Sequence, residues 1–199
     1  MTPIIRQPIN HPSAWRPADF PSKDVFSVDL ERLHIDAFDR ALTRLAADGP
    51  TDYSGIEQNG FDLSPIASDL QHWYEELSNG RGILNLRGFP VDRHSLDELS
   101  LVCYGLGAQW GTLVSQSVMG DRVGHVISVD KVLHGERRRS YKSNHEMRLH
   151  SDFCDLLGML CIRSAHAGGA SRYSSGVTIH NEIFATRPDL LEPLYRGFH

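Results

Sequence analysis

The sequence predicts an α+β fold, and three observations predict it. Apolar residues recur at helical spacing in several separate segments. Between them lie short apolar runs bounded by glycine, proline and polar residues, which have the length and composition of strands. Strands and helices do not alternate strictly, which argues against a doubly wound parallel sheet.

The chain begins with a proline-rich, polar stretch, residues 1–27, that reads as an extended arm. A helix follows. Leu30, Leu33, Ala37, Phe38, Ala41, Leu42 and Leu45 fall on one side of a 3.6-residue period, and Gly49-Pro50 stops it. A second helix is expected in LSPIASDLQHWYEELSNGRG, with Ser64 as N-cap, Pro65 in the first helical position and Leu70, Trp73, Tyr74 and Leu77 as its apolar stripe. GILNLRGFP reads as a strand ended by Gly88 and Pro90. In SLDELSLVCYGLG, Ser95 and Glu98 have capping-box spacing and open a third helix. The glycines of GLGAQWG do not fit the GxGxxG pattern and follow a helix, so a dinucleotide site is dismissed.

Further on, residues 124–129 (GHVISV) read as a strand and HGERRRSYK as a solvated basic loop. Residues 156–163 (LLGMLCIR) form a near-continuous apolar run, the pattern of a strand buried on both faces. HAGGASRYSSG reads as a turn and another short strand. VTIHNEIFATRPDLLEPLY reads as a helix ended near Arg187 by Pro188, then a second short turn.

Composition limits the function classes. With 20 basic against 25 acidic residues, the net charge of −5 gives no support to a nucleic-acid or membrane partner. Three cysteines without CxxC spacing fit reduced thiols, not a disulfide framework or a zinc ribbon. The N-terminus has no long apolar h-region and no apolar run reaches the ~18 residues that span a bilayer, so a cytoplasmic protein is expected. Eleven histidines direct attention to metal or acid–base chemistry.

The segment RLHSDFCDLLGML concentrates that chemistry. In extended chain, His150 and Asp152 point to the same side, because side chains alternate. An imidazole and a carboxylate two residues apart can hold one ion together, and such a pair with open positions suits Fe(II) in oxygen chemistry. Cys154 shares that parity and Asp155 does not. A thiolate would be oxidised beside activated oxygen, so Cys154 reads as a bystander. The plainer alternative is a polar turn capping a core strand. A zinc or manganese hydrolase using His150, Asp152 and a third group such as Asp155 is a further alternative, with no HExxH motif behind it.

NHEMRLHSDFCDLLGMLCIRSAHAGGASRYSS resembles the core of the taurine dioxygenase-like (TauD/TfdA) family of Fe(II)- and 2-oxoglutarate-dependent oxygenases. There an HxD triplet is followed by an apolar strand and a Gly-Gly-x-Thr/Ser turn. GRGILNLRGFPVD, YGLGAQWGTLVSQS and LLEPLY are similar to family segments in the same order, so the resemblance covers residues 63–199. It implies a double-stranded β-helix (jelly-roll, clavaminate synthase-like) core with flanking helices, in one domain over residues 28–199. It implies that His150 and Asp152 are iron ligands, that Ser171 contacts 2-oxoglutarate, and that Gln116 and Asn144 line the mouth where substrate binds. The implied activity is a dioxygenase that uses O2, converts 2-oxoglutarate to succinate and hydroxylates a small organic substrate.

The family pattern also requires a distal His and an Arg that pairs with the far carboxylate of 2-oxoglutarate. His166, His180 and His199 do not match the distal position. The chain therefore resembles a family member lacking its C-terminal portion, and a non-catalytic remnant with weak metal or 2-oxoglutarate binding is the alternative function. Exposed strand edges in an incomplete barrel predict a tendency to self-associate.

Overall fold

The computed structural model describes residues 3–117, 120–126 and 147–197. The described elements, in chain order, are β1 (Ser27–Asp29), α1 (Arg32–Asp48), α2 (Tyr53–Asn59), α3 (Ala67–Ser78), β2 (Asn85–Arg87), α4 (Leu96–Ala108), α5 (Gly176–Thr186) and α6 (Leu191–Arg196), with short 3-10 turns between several of them. The chain forms two compact units. The first contains Met1–Ile35, Pro65–Phe89 and Ala170–His199; the second contains Asp36–Ser64 and Pro90–Gly169.

In the first unit β1 and β2 pair in parallel, with Ser27 opposite Asn85 and Asp29 opposite Arg87. The Arg87 guanidinium reinforces this register by gripping both Asp29 carboxylate oxygens, at 2.8 and 2.9 Å. Trp73 and Leu70 on α3, Ile66 before it and Leu191 on α6 are buried. His34 is also buried and stacks on Trp73, with ring centroids 5.3 Å apart. Its Nδ1 accepts the Glu31 backbone N–H at 2.9 Å, so the proton of the neutral ring sits on Nε2, which faces the Asp69 carboxylate at 3.3 Å. This histidine caps α1.

In the second unit the inward stripe of α1 is Phe38, Ala41, Leu42 and Leu45, at the spacing that one helix face requires. The α4 capping box forms as its sequence predicts. Ser95 Oγ accepts the Glu98 N–H, and the Glu98 carboxylate accepts the Ser95 N–H at 2.8 Å. Gly105 of α4 packs against Phe61 so closely that a Cβ there would lie 2.2 Å from the ring. This close approach gives Gly105, the first glycine of GLGAQWG, a packing role. Helix α2 is capped by Asp52, whose carboxylate accepts the Gly55 N–H at 3.1 Å. Its Tyr53 stacks on Tyr104, and the Tyr104 hydroxyl donates to Glu57 at 2.7 Å.

The structure departs from expectation mainly in its strands. Among the described residues the only strands are β1 and β2, so the jelly-roll core implied by the resemblance is not formed there. Residues 156–163 are irregular instead of strand, and Leu157, Met159 and Ile162 are exposed instead of buried on both faces. The physical reason is that a strand persists only where a neighbour takes its N–H and C=O groups and covers its side chains. No described segment pairs with this one. The short strand expected after Gly168-Gly169 is likewise coil, and residues 124–126 are unpaired, while 127–129 lie outside the described residues. Ser64 opens a 3-10 turn, Ser64–Ile66, and does not cap α3.

Candidate functional site

His150 and Asp152 lie in the second unit, in irregular chain following Met147. His150 Nδ1 sits 2.7 Å from the Arg148 carbonyl oxygen. A carbonyl only accepts, so Nδ1 carries a proton, and in the neutral ring Nε2 is the nitrogen with the lone pair. That lone pair is on the nitrogen that faces Asp152, with Nε2 3.8 Å from Oδ1. The two side chains are 48% and 47% exposed, which leaves both donors accessible from solvent. The two side chains come within 3.8 Å of each other in a segment that forms no strand.

This geometry bears on whether the pair fits a metal ion. Bonds of about 2.1 Å from one ion to an imidazole nitrogen and a carboxylate oxygen put cis donors about 3.0 Å apart. The observed 3.8 Å is wider by an amount that a χ rotation of two half-exposed side chains closes. The backbone carbonyl that fixes the imidazole tautomer is the usual outer partner of a metal-binding histidine. The residues present therefore fit as two donors. No group of three or more His, Cys, Asp or Glu side chains able to hold a metal occurs among the described residues.

Cys154 lies beside the pair and is half-buried. Burial, and then the Asp152 and Asp155 carboxylates, push its thiol above the ordinary range, so it remains protonated at neutral pH. Phe153 between the two acidic positions is fully exposed.

Gln116 sits in the second unit in a tight polar loop. Its backbone N–H donates to the Asp121 carbonyl at 2.6 Å, and its side-chain amide donates to the Val114 carbonyl at 3.1 Å. Arg122 closes the same loop by donating to the Leu113 carbonyl at 2.5 Å. Ser171 is exposed and belongs to the first unit, four residues before the α5 N-cap Ser175. Asn144 lies outside the described residues.

The histidine-rich composition is partly explained by structure. His34 caps α1 as described above. His94 Nε2 lies 3.3 Å from Asp39 Oδ1, while Asp39 Oδ2 takes Arg93 at 2.9 Å. Neither histidine was singled out by spacing. The signal for His34 was its place three residues after Glu31, where a capping-box side chain belongs.

Comparison with known proteins agrees with the family resemblance. Residues 42–199 match the family described as Taurine catabolism dioxygenase TauD, TfdA family. The FR-33289 synthase of Streptomyces rubellomurinus is 27% identical over 198 residues, covering 99% of this chain and 58% of that protein. The Taurine hydroxylase-like protein SAT17 of Stachybotrys chartarum is 23% identical over 193 residues, covering 94% of this chain and 50% of that protein. The chain thus spans about half the length of these curated relatives. No helix among the described residues is long and apolar enough to cross a membrane. With the match extending over most of its length, this chain belongs to the TauD/TfdA dioxygenase family.

Proposed function

We propose that this chain is an Fe(II)- and 2-oxoglutarate-dependent dioxygenase acting on a small organic substrate. The observation that carries the reading is the His150–Asp152 pair. One nitrogen of the imidazole is committed to a backbone carbonyl, and the other presents its lone pair beside a carboxylate at 3.8 Å. His150 and Asp152 would hold the ferrous ion as neutral imidazole and carboxylate donors. When bound with 2-oxoglutarate, the ion supplies the O2-dependent oxidation that yields succinate, CO2 and a hydroxylated substrate. Ser171 would donate its hydroxyl hydrogen to a carboxylate of 2-oxoglutarate, and Gln116 and Asn144 would contribute polar groups to the substrate mouth. Substrate, O2 and any association with a second copy are part of the same proposal.

A second reading is favoured by one observation: the described residues offer two donors and no third. A two-donor site holds a metal more weakly than a facial triad, and the chain would then be a non-catalytic, weakly binding form. Anaerobic addition of Fe(II) and 2-oxoglutarate separates the two. A visible charge-transfer band that needs both components, and is lost in His150→Ala, supports the oxygenase. Weak metal uptake with no band supports the second reading. Zinc-activated hydrolysis indifferent to 2-oxoglutarate would overturn both.

A further inference from the structure

The N-terminal arm is not a loose tail. Within the first unit it lies along α5 and is held there almost entirely through its backbone. Asn181 works as a two-point clamp: its Oδ1 accepts the Ile9 N–H at 2.8 Å, and its Nδ2 donates to the Ile9 carbonyl at 2.9 Å. One turn earlier, Thr178 Oγ1 donates to the Trp15 carbonyl at 2.7 Å. Ser175 Oγ donates to the Ser13 carbonyl, and His180 Nε2 lies 3.1 Å from the Ile5 carbonyl. Ser175, Thr178, Asn181 and Glu182 are spaced three, six and seven residues along the helix, so they share a face. Glu182 adds an ion pair with Arg16. The far end of the arm is pinned separately: Trp15 Nε1 donates to the Arg81 carbonyl at 2.9 Å, and the Trp15 ring meets Phe20 edge-on.

Two features make this more than packing. Asn181 offers one acceptor and one donor to a single residue's N–H and C=O, which is how a neighbouring strand would read it. The contacts therefore ignore most arm side chains and depend on those of α5. Ser175 is also the N-cap of α5, accepting the Thr178 N–H at 2.9 Å while its own hydroxyl hydrogen goes to the arm. It is buried, unlike the four residues before it. The arm thus holds the residue at which the exposed segment 171–174 enters the helix.

We infer that residues 5–16 are a strap read through its backbone by the Ser175–Thr178–Asn181 face of α5, and that this strap anchors the C-terminal end of the segment carrying Ser171. Ser175 and Asn181 are positioning residues in this scheme. The consequence for 2-oxoglutarate rests on the role proposed for Ser171 above; the anchoring itself does not.

Hydrogen exchange on the full chain tests it. Asn181→Leu removes both clamp bonds, and Ile9→Pro removes one of them from a half-buried arm residue without touching α5. Both should speed exchange at Thr178 and Ile179, the first protected amides of α5, by ten-fold or more, and Asn181→Leu should do the same at Ile9. Ile9→Val keeps the backbone and should change neither. Faster exchange confined to Ile9, with Thr178 and Ile179 unmoved, would show the arm to be a passenger. Ile9→Val as disruptive as Ile9→Pro would show that the side chain is what α5 reads. In the Fe(II)-loaded protein, uptake of 2-oxoglutarate should weaken several-fold in Asn181→Leu with iron content unchanged. A wild-type chain that takes up no 2-oxoglutarate removes the co-substrate reading, and the exchange result still decides the strap.

Discussion

Replacing Gly105 by alanine should destabilise the second unit, although alanine is the better helix former. The added Cβ would stand 2.2 Å from Cδ1, 2.3 Å from Cγ and 2.8 Å from Cε1 of Phe61. Carbon atoms settle about 3.5–4.0 Å apart, so the ring or the helix must move by more than about 1 Å. Phe61 is 4% exposed and has little room to yield. Overpacking of this kind costs about 1–3 kcal/mol, and a contact this short on a buried ring belongs near the upper end. Alanine returns about 1 kcal/mol of helix propensity. The net loss is about 2 kcal/mol, which for a chain of this size lowers the melting temperature by about 4–8 °C. Thermal unfolding followed by circular dichroism measures it. Gly111→Ala is the control, since a Cβ there meets nothing within 4 Å. Phe61→Leu combined with Gly105→Ala should recover part of the loss, giving a coupling of about 1 kcal/mol. Gly105→Ala melting at or above wild type would mean that Phe61 does not sit on the glycine.

Other outcomes follow from individual groups. Burial pushes the Cys103 thiol up to about 11, so iodoacetamide at pH 7.5 should label exposed Cys161 well before Cys103, and equal rates would place Cys103 at the surface. The Ser95 N–H and hydroxyl hold the Glu98 carboxyl below its usual value. Its capping contribution is therefore present above the unfolded-state value and is lost as pH falls through the folded one. The melting difference between wild type and Glu98→Ala should shrink between pH 6 and pH 3, and a difference that grows on acidification would contradict the capping box. Asp52→Ala, which removes the α2 cap, should lower the midpoint of chemical denaturation, and an unchanged midpoint would mean that α2 needs no side-chain cap.

Helices were legible because their signals are local. The apolar period of α1, the Gly49-Pro50 stop, the Ser95–Glu98 box and Pro188 after α5 all act within a few residues of the element they define. Helix α2 was missed because TDYSGIEQNG is polar and contains glycines, and only Asp52 ahead of Gly55 marked its start. Strands were poorly legible for the opposite reason. β1 is three residues long and starts at the last residue of what reads as an arm, and its register is set against β2, where Arg87 holds Asp29 from 58 residues away. Residues 156–163 have strand composition, but composition does not supply a partner. The site lies between these cases. The two-residue spacing of His150 and Asp152 was readable, and their side chains lie 3.8 Å apart, whereas the hydrogen bond from His150 Nδ1 to the Arg148 carbonyl, which sets the tautomer, is a property of the folded loop. The strap was invisible for the same reason, since α5 reads backbone atoms that every sequence has.

His150 Nε2 and an Asp152 oxygen are proposed above as donors to one ferrous ion. Anaerobic titration of Fe(II) into wild type and single variants tests it most directly. His150→Ala and Asp152→Ala should each weaken binding at least ten-fold, while Asp155→Ala and Cys154→Ser leave it within about two-fold. Iron that binds His150→Ala and Asp152→Ala as tightly as wild type would mean that neither side chain is a ligand.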